Sequence, residues 1–357
     1  MVSIDIPASV VTIGTEALAS KNITEINVSE NNEFYSSING ILFNKDQTTL
    51  IQCPVGKTLC VIPSSVAYIS SKAFSECTNL TNITFESNDN LKRIGDFAFN
   101  KCEKLENIEI PSSVNFIGKS AFSRCNSLVS ITIPENVWKI GSYAFSNCSA
   151  LLQVKFNAFA CYDFSHQEDS YLFAWSGTAT DGLTVIIGAN VTRIPSYMFY
   201  ASDYSRINRV VFESNSTCES IGYRAFDSCP LTEIELPNSI LSIGESAFNN
   251  CTQLESVILS NNLTTIADFA FSNCVKLESI IIPISVTNMG SYVFSSDNAK
   301  IFCEQSSLPE PEDWSNGWLF NSSGYEIKST AYWYRENTPL EEGNFWHYNN
   351  DGEIEIW

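Results

Sequence analysis

The sequence predicts a β-rich repeat solenoid, a coil of about ten short repeats whose strands stack in parallel. Three observations predict it: a period of 23 residues, regularly spaced apolar residues at the end of each repeat, and a proline that follows them. Helical solenoids repeat at about 33–47 residues and propeller blades at about 40–50, so this period excludes both. Copies without gaps occupy Pro111–Ile133, Pro134–Phe156, Pro237–Leu259 and Ser260–Ile282.

The strand comes from the end of the repeat, whose consensus is P-x-x-V-x-x-I-G-x-x-A-F-x-x-C-x-x-L-x-x-I-x-I. Leu128, Ile131 and Ile133 are expected to share one face of a short strand, while Thr132 faces water. Pro134 has no N–H to donate to a sheet and therefore ends the strand. Because one coil leaves its apolar edge and its strand backbone unpaired, neighbouring coils must stack on it.

The remainder of the repeat forms a corner and a closing turn. We expect Val137 and Ile140 to return to the core, and Gly141 to permit a tight corner. The spacing from Ala144 to Cys148 predicts one helical turn. Stacking in register also predicts a column of phenylalanine rings, here called the aromatic spine. Its predicted members are Phe74, Phe99, Phe122, Phe145, Phe226, Phe248 and Phe271.

The motif I-G-x-x-A-F-x-x-C-x-x-L-x-x-I-x-I-P, present from Ile117 to Pro134, resembles the BspA-like subclass of leucine-rich repeats. The resemblance implies a right-handed leucine-rich-repeat coil with about 23 residues per repeat. The chain departs from the ordinary leucine-rich repeat at the polar residue after the strand. This residue is Ser113, Asn136 or Ser239, and it lies one residue off the usual register. The departure weakens the expectation of the usual asparagine ladder.

Two segments depart from the repeat pattern, a tail after the array and an insertion between its first two regular copies. Residues 1–303 are predicted to form the solenoid, and residues 304–357 an aromatic-rich β cap over its end. Five of the seven tryptophans lie in this tail, and carbohydrate binding by its aromatics is the alternative to capping. A hairpin-like insertion is predicted for residues 31–62, where Gly40–Phe43 and Thr48–Ile51 flank a polar turn.

A second, irregular insertion is predicted for residues 157–183. It contains Tyr162, Tyr171 and Trp175, which are candidates for an exposed aromatic surface. Two interpretations stay open: a local core that keeps the stack continuous, or a platform for a ligand.

Charge limits the possible partners. Twenty Lys and Arg against forty Asp and Glu give a net charge of −20, which repels nucleic acid and anionic lipid. The sequence also lacks the run of about 18–20 apolar residues that membrane insertion requires. A charged partner is therefore expected to be basic.

The cysteines and histidines do not form a recognisable reactive site. Seven of the twelve cysteines share one repeat position and are expected to stack as buried, reduced side chains. Cys53 and Cys60 are the one pair considered for a disulfide. With two histidines and no catalytic motif, the sequence predicts no enzyme, no metal and no cofactor. The seven stacked cysteines are Cys77, Cys102, Cys125, Cys148, Cys229, Cys251 and Cys274.

The outward residues of the strands form the candidate partner-binding face, with acidic flanks around a centre that has apolar and basic residues. This composition suits a protein partner with basic flanks and an apolar contact. A solvated face that keeps the protein soluble is the alternative. The candidate residues are Glu106, Glu109, Leu152, Lys155, Arg209, Glu233, Glu235, Glu255 and Glu278.

The resemblance implies a function as well as a fold. BspA-like relatives are surface proteins of bacteria and parasitic protists that attach to host proteins or to other microbes, so we expect an extracellular adhesion or binding scaffold. A structural spacer or self-assembly module is the alternative, and an enzyme is a third. Met1 leads directly into a repeat without a signal-peptide pattern. Since the resemblance implies export, a leader upstream of this residue is expected.

Overall fold

The computed structural model describes most of the chain, and every structural statement below concerns the residues that it describes. These are residues 2–20, 22–86, 90–164, 171–200, 206–295, 299–305, 314–315, 317–319, 330–337, 339 and 343–357.

The chain divides into two compact units, and strands and turns build both of them. The described ranges contain no helix. The division falls inside the segment predicted as one solenoid, and the boundary predicted after residue 303 stays a prediction. The first unit comprises Met1–Tyr162, His166–Gly188 and Tyr204–Arg206, and the second comprises Asp163–Ser165, Ala189–Asp203 and Ile207–Trp357.

The first unit contains two kinds of strand, longer ones and strands of two residues. Its strands are β1 (Val2–Ile6), β2 (Ile23–Val28), β3 (Tyr35–Ile38), β4 (Ile41–Asn44), β5 (Thr49–Gln52), β6 (Leu59–Ile62), β7 (Tyr68–Ile69), β8 (Asn82–Phe85), β9 (Arg93–Ile94), β10 (Phe116–Ile117), β11 (Ser130–Ile133), β12 (Lys139–Ile140), β13 (Gln153–Phe156) and β14 (Leu183–Ile187). Longer strands pair in parallel as β1–β2, β6–β8 and β11–β13–β14. Another sheet has the order β12–β10–β9–β7–β5–β4–β3, in which the first four strands have two residues each and the last three have four.

The second unit repeats this arrangement and adds the strands of the tail. Its strands are β15 (Arg193–Ile194), β16 (Ile207–Phe212), β17 (Ser220–Ile221), β18 (Glu233–Glu235), β19 (Ser242–Ile243), β20 (Ser256–Ile258), β21 (Thr265–Ile266), β22 (Ser279–Ile282), β23 (Asn288–Met289), β24 (Lys300–Cys303), β25 (Thr330–Tyr334), β26 (Phe345–Tyr348) and β27 (Ile354–Ile356). Long strands lie in the orders β16–β18–β20 and β22–β24–β25–β26–β27, and short ones in the order β15–β17–β19–β21–β23.

The long strands confirm the predicted parallel stacking. Ile131 of β11 lies opposite Val154 of β13, which lies opposite Val185 of β14, and all three side chains are buried. Fully burying an aliphatic side chain of this size contributes about 1.5–3 kcal/mol. The inward positions of stacked coils thus form one continuous apolar layer within each unit.

The short strands were not predicted. Each two-residue strand lies directly before the corner position, which is a glycine in most coils. Phe116–Ile117 in β10 and Lys139–Ile140 in β12 are examples, and these two strands pair in parallel. The isoleucine points inward and the residue before it points outward. These strands form the short-strand sheet, which is separate from the sheet of long strands.

The aromatic spine is confirmed in both units. In the first unit the ring centroids of Phe74, Phe99, Phe122 and Phe145 lie 4.7, 5.0 and 5.4 Å apart along the series. Phe173 continues the stack at 5.5 Å from Phe145, so the segment predicted as an irregular insertion supplies a ring to the spine. In the second unit Phe199, Phe226, Phe248, Phe271 and Phe294 stack at 5.3, 5.4, 5.2 and 5.9 Å.

The helical turn predicted from Ala144 to Cys148 is wrong. Tyr143 and Asn147 both have φ near 58°, in the left-handed region, and equivalent pairs of residues recur in other coils. This backbone turns alternate N–H groups out of the coil: Phe122 N–H donates to Ala144 O at 2.7 Å, and Arg124 N–H to Ser146 O at 2.9 Å. An α-helix would use these donors within its own turn. The left-handed residues cost about 1–2 kcal/mol each, which the bonds between coils help to offset.

The column of buried thiols is confirmed, and it also forms hydrogen bonds. Cys125 Sγ lies 3.3 Å from Phe99 O, and Cys148 Sγ lies 3.2 Å from Phe122 O, so each thiol donates to the preceding coil. None of the twelve cysteines is in a disulfide, and all of them are buried. Cys53 and Cys60 therefore form no disulfide; burial, followed by the hydrogen bond from Cys60, raises the pKa of the Cys53 thiol.

The hairpin predicted in the first insertion is confirmed. Strands β4 and β5 pair in antiparallel fashion, with Phe43 opposite Leu50. Strand β3 adds a further antiparallel partner to β4. On its other edge β5 pairs in parallel with β7. The hairpin is thus joined through β5 to the parallel strands of the short-strand sheet.

The tail continues the long-strand sheet of the second unit. Strand β25 pairs in parallel with β24, and the last strand, β27, pairs with β26 in antiparallel fashion. Trp314, Trp318 and Trp346 are buried. Trp346 Nε1 donates to Cys303 O at 3.0 Å, which fixes the tail to the final coil.

The corner glycines provide a test of coil stacking. A Cβ at Gly118 would lie 2.5 Å from backbone atoms of Gly95 and Asp96, whereas a Cβ at Gly14 would meet nothing within 4 Å. We expect Gly118→Ala to lower the free energy of unfolding by about 1–3 kcal/mol, because the backbone of the preceding coil must move. Gly14→Ala should leave it unchanged or raise it by up to about 1 kcal/mol. Urea unfolding followed by circular dichroism measures both, and equal effects would contradict the stacking argument.

The thiol column predicts low reactivity. Burial raises the pKa of the Cys148 thiol from 9.0 to about 12, so almost no thiolate is present at pH 8. We expect a maleimide reagent to leave the seven column cysteines unlabelled in the native protein and to label them after denaturation, as counted by mass spectrometry. The variant Asn126→Cys places a thiol at an exposed position and serves as the labelled control. Rapid labelling of Cys148 in the native state would show that the column is accessible.

Candidate functional site

The candidate face consists of outward residues on the long strands and the segments before them. Lys155 is half-buried, and the other eight candidate residues are exposed. Glu106, Glu109, Leu152 and Lys155 belong to the first unit; Arg209, Glu233, Glu235, Glu255 and Glu278 belong to the second.

A groove with a volume of about 560 Å³ lies on this face in the second unit. Arg209 of β16 and the carboxylates Glu233 and Glu235 of β18 line it. Val211 and Ile258 add apolar surface, and Ile258 is 56% exposed. Three of the predicted residues thus meet in one site, which offers two carboxylates, one guanidinium and apolar side chains to a partner.

The groove forms where the repeat is not 23 residues long. The repeat Glu213–Leu236 has two extra residues before Ile221-Gly222. In the described residues, β16 pairs with β18 through Arg209 and Glu233, whereas β18 pairs with β20 at three successive positions. The groove lies beside this single paired position, and Ser256 and Ile258 of β20 also line it.

One hydroxyl at the groove has no described partner, unlike its equivalents in other coils. Ser113 Oγ donates to Leu91 O at 2.8 Å and Ser285 Oγ donates to Leu263 O at 2.7 Å, each to the preceding coil. Asn136 also donates to the preceding coil, at 2.9 Å, so polar residues after the strand do connect coils. Ser239 occupies the corresponding position and lines the groove, but its buried Oγ makes no hydrogen bond to a described residue.

A second groove, of about 580 Å³, lies in the first unit. Glu109, Asn107 and Thr84 line it. The repeat Glu86–Ile110 also has two extra residues, and the strand expected at its end is absent. An isolated bridge between Asn82 and Asn107 takes its place.

The other predicted residues occupy shallower surface. Glu255 and Glu278 border a depression with Lys276 and Lys300. Lys276 Nζ lies 3.2 Å from Glu255 Oε1, an exposed ion pair worth about 0–1 kcal/mol. In the first unit Leu152 is 48% exposed.

The three candidate aromatic residues have different neighbours. Tyr162 is 64% exposed and packs on Trp138, with ring centroids 5.4 Å apart. Tyr171 stacks on Tyr143 at 5.7 Å, and Trp175 is 39% exposed. The contacts of Tyr162 and Tyr171 thus place them in two separate aromatic pairs.

Several groove residues were not predicted. Glu213, Ser214, Asn215 and Ser216 line the groove of the second unit, and Glu213 Oε2 accepts a hydrogen bond from Ala189 N–H at 3.1 Å. The signal for them was present as the two extra residues in this repeat. The sequence alone does not show that these residues line a groove, because this depends on how the neighbouring strands pair.

Two features are absent from the described part of the chain, a cluster of metal-binding side chains and a membrane-spanning helix. No group of three or more His, Cys, Asp and Glu residues is placed to hold a metal ion there. Nor do the described residues include a helix of the length and apolarity needed to cross a membrane.

Comparisons with known proteins agree with the repeat pattern. A family model described as the BspA type leucine rich repeat region matches in six copies, over residues 1–57, 53–167 and 169–300. No curated protein matches the chain significantly.

Solved structures of bacterial leucine-rich repeat proteins are similar to this chain. A protein from Eubacterium ventriosum is 25% identical with a TM-score of 0.31, covering 86% of this chain and 60% of its own. The pneumococcal vaccine antigen PcpA is 20% identical with a TM-score of 0.43, covering 72% and 56%. A leucine rich cell surface protein from Faecalibacterium prausnitzii is 23% identical with a TM-score of 0.36, covering 83% and 94%. The chain thus spans less than two thirds of the first two proteins.

The unpaired hydroxyl of Ser239 predicts a difference between equivalent serines. We expect Ser113→Ala to lower the free energy of unfolding by about 1 kcal/mol, because the bond to Leu91 O is lost. Ser239→Ala should have no such cost, since the hydroxyl has no described partner to lose. Chemical denaturation of both variants measures the difference, and a loss at Ser239 equal to that at Ser113 would contradict the structure of the groove.

Proposed function

The chain belongs to the family of BspA-type leucine-rich-repeat regions, and from this membership we propose that it is a non-enzymatic scaffold that binds a protein partner through its long-strand face. The observation that carries the proposal is the groove lined by Arg209, Glu233 and Glu235. A concave, mixed apolar and charged surface on a rigid sheet is suited to recognition.

The chemistry of the groove favours a basic and apolar segment of the partner. Glu233 and Glu235 are exposed at its wall, so a lysine or arginine of the partner can approach them with little loss of hydration. Val211 and Ile258 provide the apolar contact. Arg209 disfavours a uniformly basic segment and thereby adds specificity.

The location that we propose is the cell surface or the extracellular medium. The support is the membership of the BspA-type family, because resemblance to this family implies export and attachment to host or microbial proteins. The buried thiols support a non-enzymatic role, because raised pKa values at Cys148 and Cys218 make them poor nucleophiles. A structural spacer or self-assembly module remains the second candidate, and the edge strand β1, which pairs with β2 alone among described strands, is the feature that favours it.

Charge reversal at two groove residues and at Glu255, the neighbour of the groove residue Ser256, tests the proposal. A random peptide library displayed on phage and selected on the full chain should yield peptides that combine basic and apolar residues. We expect the triple variant Glu233→Lys, Glu235→Lys and Glu255→Lys to bind the selected peptides at least about tenfold more weakly, because charge complementarity is lost. Isothermal titration calorimetry measures the affinities.

The control changes the net charge equally at other exposed sites. The triple variant Glu30→Lys, Glu103→Lys and Glu353→Lys should bind the same peptides as the unaltered chain does. Equal losses in both triple variants would reduce the effect to net charge and remove the groove from the proposal. Failure to select any peptide, together with concentration-dependent oligomers in sedimentation velocity, would favour the spacer instead.

A further inference from the structure

The short-strand sheet of the first unit presents an ordered row of aromatic and cationic side chains. Its outward residues align one per coil, because β7, β9, β10 and β12 pair in parallel register. Trp138, immediately before β12, and Tyr162 extend the row on one side. The ring centroid of Trp138 lies 6.2 Å from that of Phe116 and 5.4 Å from that of Tyr162. We name this set the aromatic–cation strip; it consists of Tyr68, Arg93, Phe116, Lys139, Trp138 and Tyr162.

The strip lies at the surface. Tyr68 is 49% exposed and Trp138 38% exposed, while Arg93 and Lys139 are also exposed. The Arg93 guanidinium lies 3.9 Å from the centre of the Phe116 ring, a cation–π contact that holds both side chains in place. Large aromatic side chains at this level of exposure are unusual for positions that only need to cover a sheet.

The fold does not require these residue types. In the second unit the same position of the short strands holds small polar residues that pair in the same register. They are Ser220, Ser242, Thr265 and Asn288. Arg193, also at this position, forms an ion pair with Asp163 at 2.9 Å. The composition of the strip in the first unit therefore calls for an explanation other than stability.

The strip offers positive charge and hydrogen-bond donors without matching acceptors. No described carboxylate lies within ion-pair distance of Arg93 or Lys139, although the chain as a whole has a net charge of −20. The Trp138 indole N–H and the Tyr68 hydroxyl make no hydrogen bond to a described residue. A fitting partner carries carboxylates and backbone carbonyls and has few donors of its own.

The repeat spacing selects one conformation of such a partner. Parallel strands lie about 4.8 Å apart, so Tyr68 and Phe116, two coils apart, are separated by about 9.6 Å, and so are Arg93 and Lys139. A polyproline II helix advances about 3.1 Å per residue and completes a turn in three residues, which is about 9.3 Å. An extended β-strand advances about 6.6–6.8 Å for each pair of residues and does not match this spacing.

We propose that the aromatic–cation strip binds an acidic, proline-rich segment of a partner protein in the polyproline II conformation, running across the coils. Prolines pack on the aromatic rings, as in other aromatic-lined grooves that bind this helix, and an acidic residue once per turn meets Arg93 and then Lys139. Proline has no N–H, so the segment presents mostly acceptors to the donors of Trp138 and Tyr68. The site is on a different sheet from the groove of the proposed function and does not depend on it.

The test uses the full chain and the synthetic peptide (Pro-Pro-Glu)4, which places one glutamate in each turn of the helix. We expect binding, measured by titration calorimetry and by a change in tryptophan fluorescence. Trp138→Ala should weaken it at least about tenfold, as truncation of an aromatic anchor commonly does. Arg93→Gln with Lys139→Gln should weaken it by about tenfold without removing the aromatic surface. Lys300→Glu, at an exposed site in the second unit, should leave it unchanged.

Three further peptides and ligands separate charge from conformation. (Pro-Pro-Lys)4 keeps the helix and reverses the charge, and (Gly-Ser-Glu)4 keeps the charge without the helix; both should bind at least about tenfold more weakly. Equal binding of either one to the unaltered chain would overturn the proposal. Binding of an oligogalacturonate in preference to (Pro-Pro-Glu)4 would assign the strip to an acidic carbohydrate and also overturn it. So would the absence of peptide binding at millimolar concentration.

Discussion

Each coil of this protein completes its hydrogen bonding in the next coil. Phe122 N–H donates to Ala144 O, and Cys148 Sγ returns a bond to Phe122 O, so the turn side is tied in both directions. The strands of the same coils pair in parallel on the other side. Because these donors have no partner inside their own coil, an isolated coil would expose unpaired backbone to water and bury almost nothing. Stability therefore arises between neighbours, and the repeat positions that contact the neighbour are the ones that stay constant along the sequence.

Those constant positions made the fold predictable. The period, the strand apolar pattern and the phenylalanine column together determined the stacking, since each of these depends on burial and burial is visible as hydrophobic pattern. The closing turn was not predictable in the same way. Ala144, Phe145 and Cys148 have a spacing that fits a helix, and nothing in their apolar pattern indicates the left-handed backbone at Tyr143 and Asn147. Two-residue strands such as Lys139–Ile140 are also too short to produce an alternating pattern.

The candidate site was predictable only in part. Outward strand residues such as Glu233 and Glu235 follow directly from the alternation of side chains along a strand. The grooves do not, because the apolar pattern does not show at how many positions two neighbouring strands pair. Residues 213–216 line the groove of the second unit, where β16 and β18 pair at a single position. The row formed by Tyr68, Arg93, Phe116 and Lys139 was hidden for a similar reason, since its members lie in strands that the pattern did not indicate.

The position of β27 at the edge of its sheet has a consequence for aggregation. A stack of parallel coils ends in an edge whose free N–H and C=O groups can template another strand, and this is how β-proteins aggregate. In the second unit the final strand runs against its neighbour and carries the exposed carboxylates Glu353 and Glu355 on and beside it. A further strand that docked at this edge would meet the negative charge of these exposed carboxylates. The composition of β27 and its flank thus disfavours aggregation through this edge.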